Sequence, residues 1–109
     1  MKLITVPKKL ITVTIRVTQA DIDEAYNSTT EHCAVRIALQ RVVDPVYTVH
    51  MLYDAVHLSR KDLIGRSFTD HFTDLPSDAN EFVSHFDNLF PVRPFSFEVR
   101  LPEEALKNP

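Results

Sequence analysis

Proline fixes its own φ and has no amide hydrogen to donate, so it ends helices and is kept out of the middle of sheets. Seven prolines in 109 residues therefore decide where elements of this chain can begin and stop. Pro7 interrupts the first apolar segment. Asp44-Pro45 closes a helical stretch, because the residue before a proline is pushed out of helical geometry. Pro76 precedes a second helical pattern, Pro91 and Pro94 bracket a turn, and Pro102 ends a strand.

The segments between these stops have readable periodicity. Leu10–Val17 is dense in β-branched residues and predicts a strand. Its start is a duplication, since Lys2-Leu3-Ile4-Thr5-Val6 recurs as Lys9-Leu10-Ile11-Thr12-Val13. A single short repeat cannot build a solenoid, so residues 1–9 are expected to form an edge strand or an N-terminal extension. Thr18 followed by Asp21 is a helix start and predicts a helix over 19–26. Ser28-Thr29-Thr30-Glu31 matches a capping box and predicts a helix over 29–43. Ala34, Val35, Ala38, Leu39 and Val42 form its apolar stripe, opposite His32, Arg36 and Gln40.

Val46–Leu52 and Ala55–Ser59 read as a hairpin around Tyr53-Asp54. Arg60–Leu75 has poor periodicity and is expected to be a long loop with one short turn, a length that in a small domain means either a functional loop or a missed element. Ser77 is the expected N-cap of a third helix that turns Ala79, Phe82, Val83, Phe86, Leu89 and Phe90 inward. Phe95–Leu101 alternates strictly, with Phe95, Phe97, Val99 and Leu101 facing in. Residues 102–109 are expected to be a frayed tail or a short helical turn. The order β-α-α-β-β-loop-α-β predicts one α+β domain over residues 10–101, a largely antiparallel sheet with helices on one face.

Composition narrows the chemistry. Twelve Lys+Arg against fifteen Asp+Glu give a net charge of −3, without the basic stripe that nucleic-acid binding needs. One glycine, Gly65, excludes Gly-rich phosphate loops. One cysteine excludes an intramolecular disulfide and every Cys-rich zinc pattern. No apolar run approaches the ~20 residues of a membrane span. Pro7 and Lys8-Lys9 break up the start, so no signal-peptide core is expected and the location expected is cytoplasmic.

Candidate reactive groups are few. His32 directly precedes Cys33, but neighbours on a helix point about a hundred degrees apart, so His32 is not placed to deprotonate the thiol. Cys33 is expected to pack in the core. The histidines at 32, 50, 57, 71 and 85 form no H-E-x-x-H pair. His50 and His57 stand on the two hairpin arms and could face each other, yet two ligands do not close a zinc site. Neither a metal nor a cofactor is expected. Asp70-His71-Phe72-Thr73-Asp74 sets two carboxylates around an imidazole, as acid–base work or a polar loop would. Ser67 and Ser77 lack a G-x-S-x-G context.

Arg36 and Arg41 fall on the second helix, Arg93 in the proline turn and Arg100 on the outer face of the last strand. If that strand packs beside the second helix, these guanidiniums form a site for an anion or an acidic protein. The candidate binding surface is therefore Arg36, Arg41, Arg93 and Arg100, with Asp70, His71 and Asp74.

Two resemblances bear on this. Leu63-Ile64-Gly65-Arg66-Ser67-Phe68-Thr69-Asp70 is similar to a stretch of PAS sensor domains, but those continue into three long strands and only one is predicted here. Val17-Thr18-Gln19-Ala20-Asp21-Ile22, Cys33-Ala34-Val35-Arg36-Ile37-Ala38-Leu39, Phe82-Val83-Ser84-His85-Phe86-Asp87 and Pro94-Phe95-Ser96-Phe97-Glu98 resemble a group of small accessory proteins of phages and the bacteria that carry them. Ala34 departs from that pattern, which has proline there, as does the extra Lys-Leu-Ile-Thr-Val copy. The resemblance implies a fold and a phage-encoded accessory role, and no activity.

The expectation is a non-enzymatic protein that binds a host or defence protein, an anti-CRISPR-like inhibitor of bacterial defence. The competing expectation is an oligomeric binder that sequesters an anionic nucleotide signal through Arg36, Arg93 or Arg100. A thiol or His–Asp enzyme centred on Cys33 or His71 is third. An edge strand, Leu3–Val6 or Phe95–Leu101, could also pair copies of the chain.

Overall fold

The computed structural model describes residues 9–25, 33–52 and 55–107. The strand Leu10–Val17 (β1) pairs antiparallel with Phe95–Pro102 (β5), from Leu10 opposite Pro102 to Val17 opposite Phe95. Alternation turns Ile15, Val17, Phe97, Val99 and Leu101 into the core, while Thr12, Thr14, Arg16, Ser96, Glu98 and Arg100 are exposed. The period-2 reading of Phe95–Leu101 holds, with Phe97, Val99 and Leu101 buried and Phe95 half-buried, and Leu10–Val17 is the strand its β-branched residues predict.

Helix α1 (Gln19–Glu24) starts as the sequence predicts. The Thr18 hydroxyl accepts the Asp21 amide at 3.2 Å, and the Asp21 carboxylate accepts the Thr18 amide at 2.8 Å. Two of the amides that a helix N-terminus leaves without partners are thereby satisfied.

The second helix, α2 (Ala34–Val42), is shorter than the 29–43 expected. Cys33 has extended backbone, φ −71° and ψ 137°, and serves as the N-cap whose carbonyl accepts the Ile37 amide. The Ser28–Glu31 capping box lies outside the described residues, as do the first Lys-Leu-Ile-Thr-Val copy, His32 and Tyr53-Asp54. The α2 stripe Ala34, Val35, Ala38 and Leu39 is buried against the core faces of the sheets.

The strands Thr48–Leu52 (β2), Ala55–Lys61 (β3) and Ser67–Asp74 (β4) form an antiparallel sheet in the order β2-β3-β4. His50 stands opposite His57 in the predicted hairpin. The long loop expected over 60–75 is largely β4 and the turn before it, so the order gains one strand there. No apolar face marks β4 in the sequence, because both of its faces are mostly exposed and its strand pairing is with β3.

Helix α3 (Ser77–Asp87) has Pro76 as its N-cap, with Ser77 already its first helical residue; this corrects the expected Ser77 cap. The φ of −64° that proline imposes suits the entry to a helix. Ala79 and Phe82 are buried, and Val83 and Phe86 pack against the core. Leu89 and Phe90, expected to continue this stripe, lie beyond the helix end and are exposed, Leu89 by 81%. The reason is a left-handed turn at Leu89, φ +63°, in which Phe90 N–H donates to His85 O and Leu89 N–H to Phe86 O. That is the Schellman arrangement.

After β5, Glu103–Ala105 makes one 3-10 turn. It is tied to the end of α2 by Asp44 N–H to Ala105 O at 2.7 Å and Lys107 N–H to Val42 O at 3.0 Å, and Ala105 is fully buried. The whole is an α+β fold with antiparallel sheets and helices packed on them.

Candidate functional site

The β3–β4 hairpin outruns the rest of its sheet. Thr48 of β2 stops at Ser59, so Arg60 and Lys61 pair only with Phe68 and Ser67 of β4. Residues 61–69 are all exposed. The turn at the end is tightly bonded: Asp62 Oδ1 accepts the amides of Ile64 (3.0 Å) and Arg66 (2.8 Å), Gly65 N–H donates to Asp62 O, and Asp62 N–H donates to Arg66 O. Gly65 takes φ +84°, a conformation that glycine adopts without penalty. This finger presents Leu63, fully exposed, and Ile64, 72% exposed. Arg60, Lys61 and Arg66 flank them, Arg66 lying 3.6 Å from Asp62.

A polar clamp fixes the base of the finger. Leu58 stands opposite His71 and Ser59 opposite Thr69, so Asp70 is the extra residue of a β-bulge. Bulges re-aim side chains, and the Asp70 carboxylate is directed to Arg60, 3.7 Å away, and to the Tyr47 hydroxyl. The Arg60 guanidinium lies over the rings of Tyr47 (5.7 Å) and Phe68 (5.6 Å), a cation–π arrangement. Burial and the nearby Asp70 and Glu104 charges push the Tyr47 phenol above its ordinary range, against the opposing pull of Arg60. At neutral pH this phenol keeps its proton and works as a donor, holding the finger to the body.

The predicted surface residues divide. Arg100 and Asp74 come together in an open groove of about 390 Å³ between β5 and the end of β4, lined also by Thr12, Thr73, Leu75, Pro76, Glu98 and Val99. Two carboxylates beside one guanidinium make a poor anion site. The helix arginines are engaged in the fold instead: Arg36 Nε donates to Val49 O at 2.9 Å, while Arg41 pairs with the Asp21 carboxylate and reaches Arg16 O. Arg93 is exposed in the proline turn, and His71 sits one residue past the bulge.

Cys33 is buried, and burial raises its thiol above the ordinary range. It therefore packs as a small apolar group. His50 Nε2 lies 2.8 Å from Ser59 Oγ, and His57 meets the Phe72 ring edge-on at 4.7 Å. No group of three or more His, Cys, Asp or Glu among the described residues is arranged to hold a metal ion.

Sequence reasoning missed Leu63, Ile64, Tyr47 and Arg60. The available signal was Asp62-Leu63-Ile64-Gly65, an aspartate at the first and a glycine at the fourth position of a turn, with two aliphatic residues at its apex. Comparison with protein-family models, with curated proteins and with solved structures returns no match to this chain.

Proposed function

We propose that this chain is a non-enzymatic binding protein that engages a host protein, as a phage-encoded inhibitor of a bacterial defence system would, and that it does so with the β3–β4 finger. The observation that carries this reading is the pair Leu63 and Ile64, held in solvent at the apex of a hydrogen-bonded turn. Exposed aliphatic side chains on a preordered turn cost little entropy to bury, which is the property of a binding hot spot. The clamp of Tyr47, Arg60 and Asp70 supports the same reading by keeping the finger in one conformation.

On this reading the protein acts in the cytoplasm of the bacterial host. Among the described residues no helix is long and apolar enough to cross a membrane. The alternative, sequestration of an anionic nucleotide, is the weaker one because Asp74 and Glu98 share the groove with Arg100.

The test is phage plating on bacteria that carry a nuclease defence system and express either the wild-type chain or the Leu63→Asp/Ile64→Asp double variant. Protection of the phage by wild type, lost in an equally folded double variant, is the expected outcome. Protection that survives the double variant, or none from wild type across defence systems, defeats the reading. Native mass spectrometry that finds a retained nucleotide would favour the alternative.

A further inference from the structure

The finger is opposite in charge to the molecule that carries it. Between positions 60 and 69 stand Arg60, Lys61 and Arg66 against the single carboxylate of Asp62. The other residues hold nine Lys and Arg against fourteen Asp and Glu, so a chain of net charge −3 turns a cationic tip toward solvent. Two of the cations bracket the apolar apex. Lys61 ends the β3 arm, and Arg66 stands directly before the β4 arm.

Those two charges are unspent. Arg60 is engaged at the base by Asp70 and by the rings of Tyr47 and Phe68. Lys61 has no ion pair among the described residues. Arg66 Nε lies 3.6 Å from Asp62 Oδ2, too far for a hydrogen bond. The other oxygen, Asp62 Oδ1, is occupied by the turn amides of Ile64 and Arg66. The guanidinium therefore keeps its donors for a planar acceptor such as a carboxylate.

We propose that the finger enters an apolar cleft of a protein whose rim carries carboxylates, Leu63 and Ile64 filling the cleft while Lys61 and Arg66 pair with Asp or Glu at its two edges. This rests on the reading of the finger as the binding element and adds the chemistry of the surface it meets. An apolar centre inside a polar rim is the common anatomy of a protein–protein contact. The negative body sets the orientation, because an acidic partner disfavours approaches other than finger first. A lipid surface fits less well. Leu63 and Ile64 together bury less hydrocarbon than one myristoyl chain, which by itself holds a protein to a membrane only marginally. An extended anionic surface, lipid or nucleic acid, also faces the negative body along with the tip.

The test is phage plating on defended bacteria, with the full chain expressed at the lowest level at which wild type protects. Lys61→Gln/Arg66→Gln should reduce protection at least tenfold, and Lys61→Glu/Arg66→Glu should abolish it, both variants melting as wild type does. Should the Glu variant unfold, the Gln variant carries the test. Benzoylphenylalanine in place of Ile64, irradiated in the same cells, should join a protein segment bearing at least two Asp or Glu. Lys at those partner positions should restore protection to the Glu variant. A Glu variant that protects like wild type, where Leu63→Asp/Ile64→Asp does not, overturns the carboxylate rim and leaves the finger reading standing. A cross-linked segment without carboxylates does the same. Protection that survives Leu63→Asp/Ile64→Asp, or none from wild type, defeats the finger reading and this proposal with it. Co-sedimentation of wild type with phosphatidylglycerol vesicles, or retardation of duplex DNA in a gel, either one lost in the Glu variant, overturns the proposal in favour of a lipid or nucleic-acid surface.

Discussion

Leu89 carries the clearest local strain. It closes α3 at φ +63°, where a side chain crowds the following carbonyl, and that closing position in a Schellman turn is usually glycine. Its side chain is 81% exposed and contributes little packing to offset the strain. Leu89→Gly should therefore stabilise the fold by about 1 kcal/mol, seen as a higher midpoint in urea with an unchanged slope. A lower midpoint would mean that Leu89 makes a contact worth more than its strain. Gly65, at φ +84° in the finger turn, is the position where the chain already uses the residue that fits. Neither backbone state is written in hydrophobic periodicity. The stripe Phe82, Val83, Phe86, Leu89, Phe90 continues in the sequence past the point where the helix stops, and the reversal at Leu89 turns its last two members into solvent.

At the scale of elements, the Arg41–Asp21 pair joins α2 to α1 and, through Arg16 O, to β1. Asp21 is 2% exposed and also completes the cap of its own helix. Arg41→Ala leaves that carboxylate buried without its counter-ion and should cost about 2–3 kcal/mol, less than the roughly 3–5 kcal/mol of breaking a fully buried pair because the arginine is itself half-exposed. Asp21→Ala should cost a similar amount. The double variant should cost clearly less than the sum, a coupling of about 1 kcal/mol or more in a thermodynamic cycle; strict additivity would show that the pair does not act as one. The Asp21 cap was legible because a capping box is local in sequence. Its arginine, twenty residues on, was not, and the sequence reading placed Arg41 on an anion-binding surface instead. Likewise β4 was invisible, since a strand exposed on both faces has no apolar signature and exists through its partner.

At the scale of the whole molecule, two groups among the described residues tie stability to pH. Burial raises the Cys33 thiol above its ordinary value of 9.0 and, with the Asp70 charge, the Tyr47 phenol above its ordinary value of 10.0. Both keep their protons longer in the folded chain than in the unfolded one. The stability this represents is whole below about pH 9 and is lost as pH rises through the folded-state values. The Tm should hold from neutrality to pH 9 and fall by pH 10. Cys33→Ala should lower the plateau through its small cavity and delay the onset of the fall toward pH 10, where Tyr47 acts. An identical onset in the variant would remove Cys33 from this account.

Local chemistry by itself determined the β-branched strand β1, the alternating strand β5, the Thr18–Asp21 cap, the buried stripe of α2 and the order of the predicted elements. Each of these depends on residues within about one turn or one pleat of each other, where proline, capping side chains and periodicity act directly. Only the tertiary structure decided that residues 67–74 are a strand, that Arg36 and Arg41 hold the fold, and that the bulge at Asp70 anchors a finger tipped by Leu63 and Ile64. Those features depend on which partner lies across a sheet or beside a helix, and burial and pairing between distant segments are properties of the packed chain rather than of any one stretch of it.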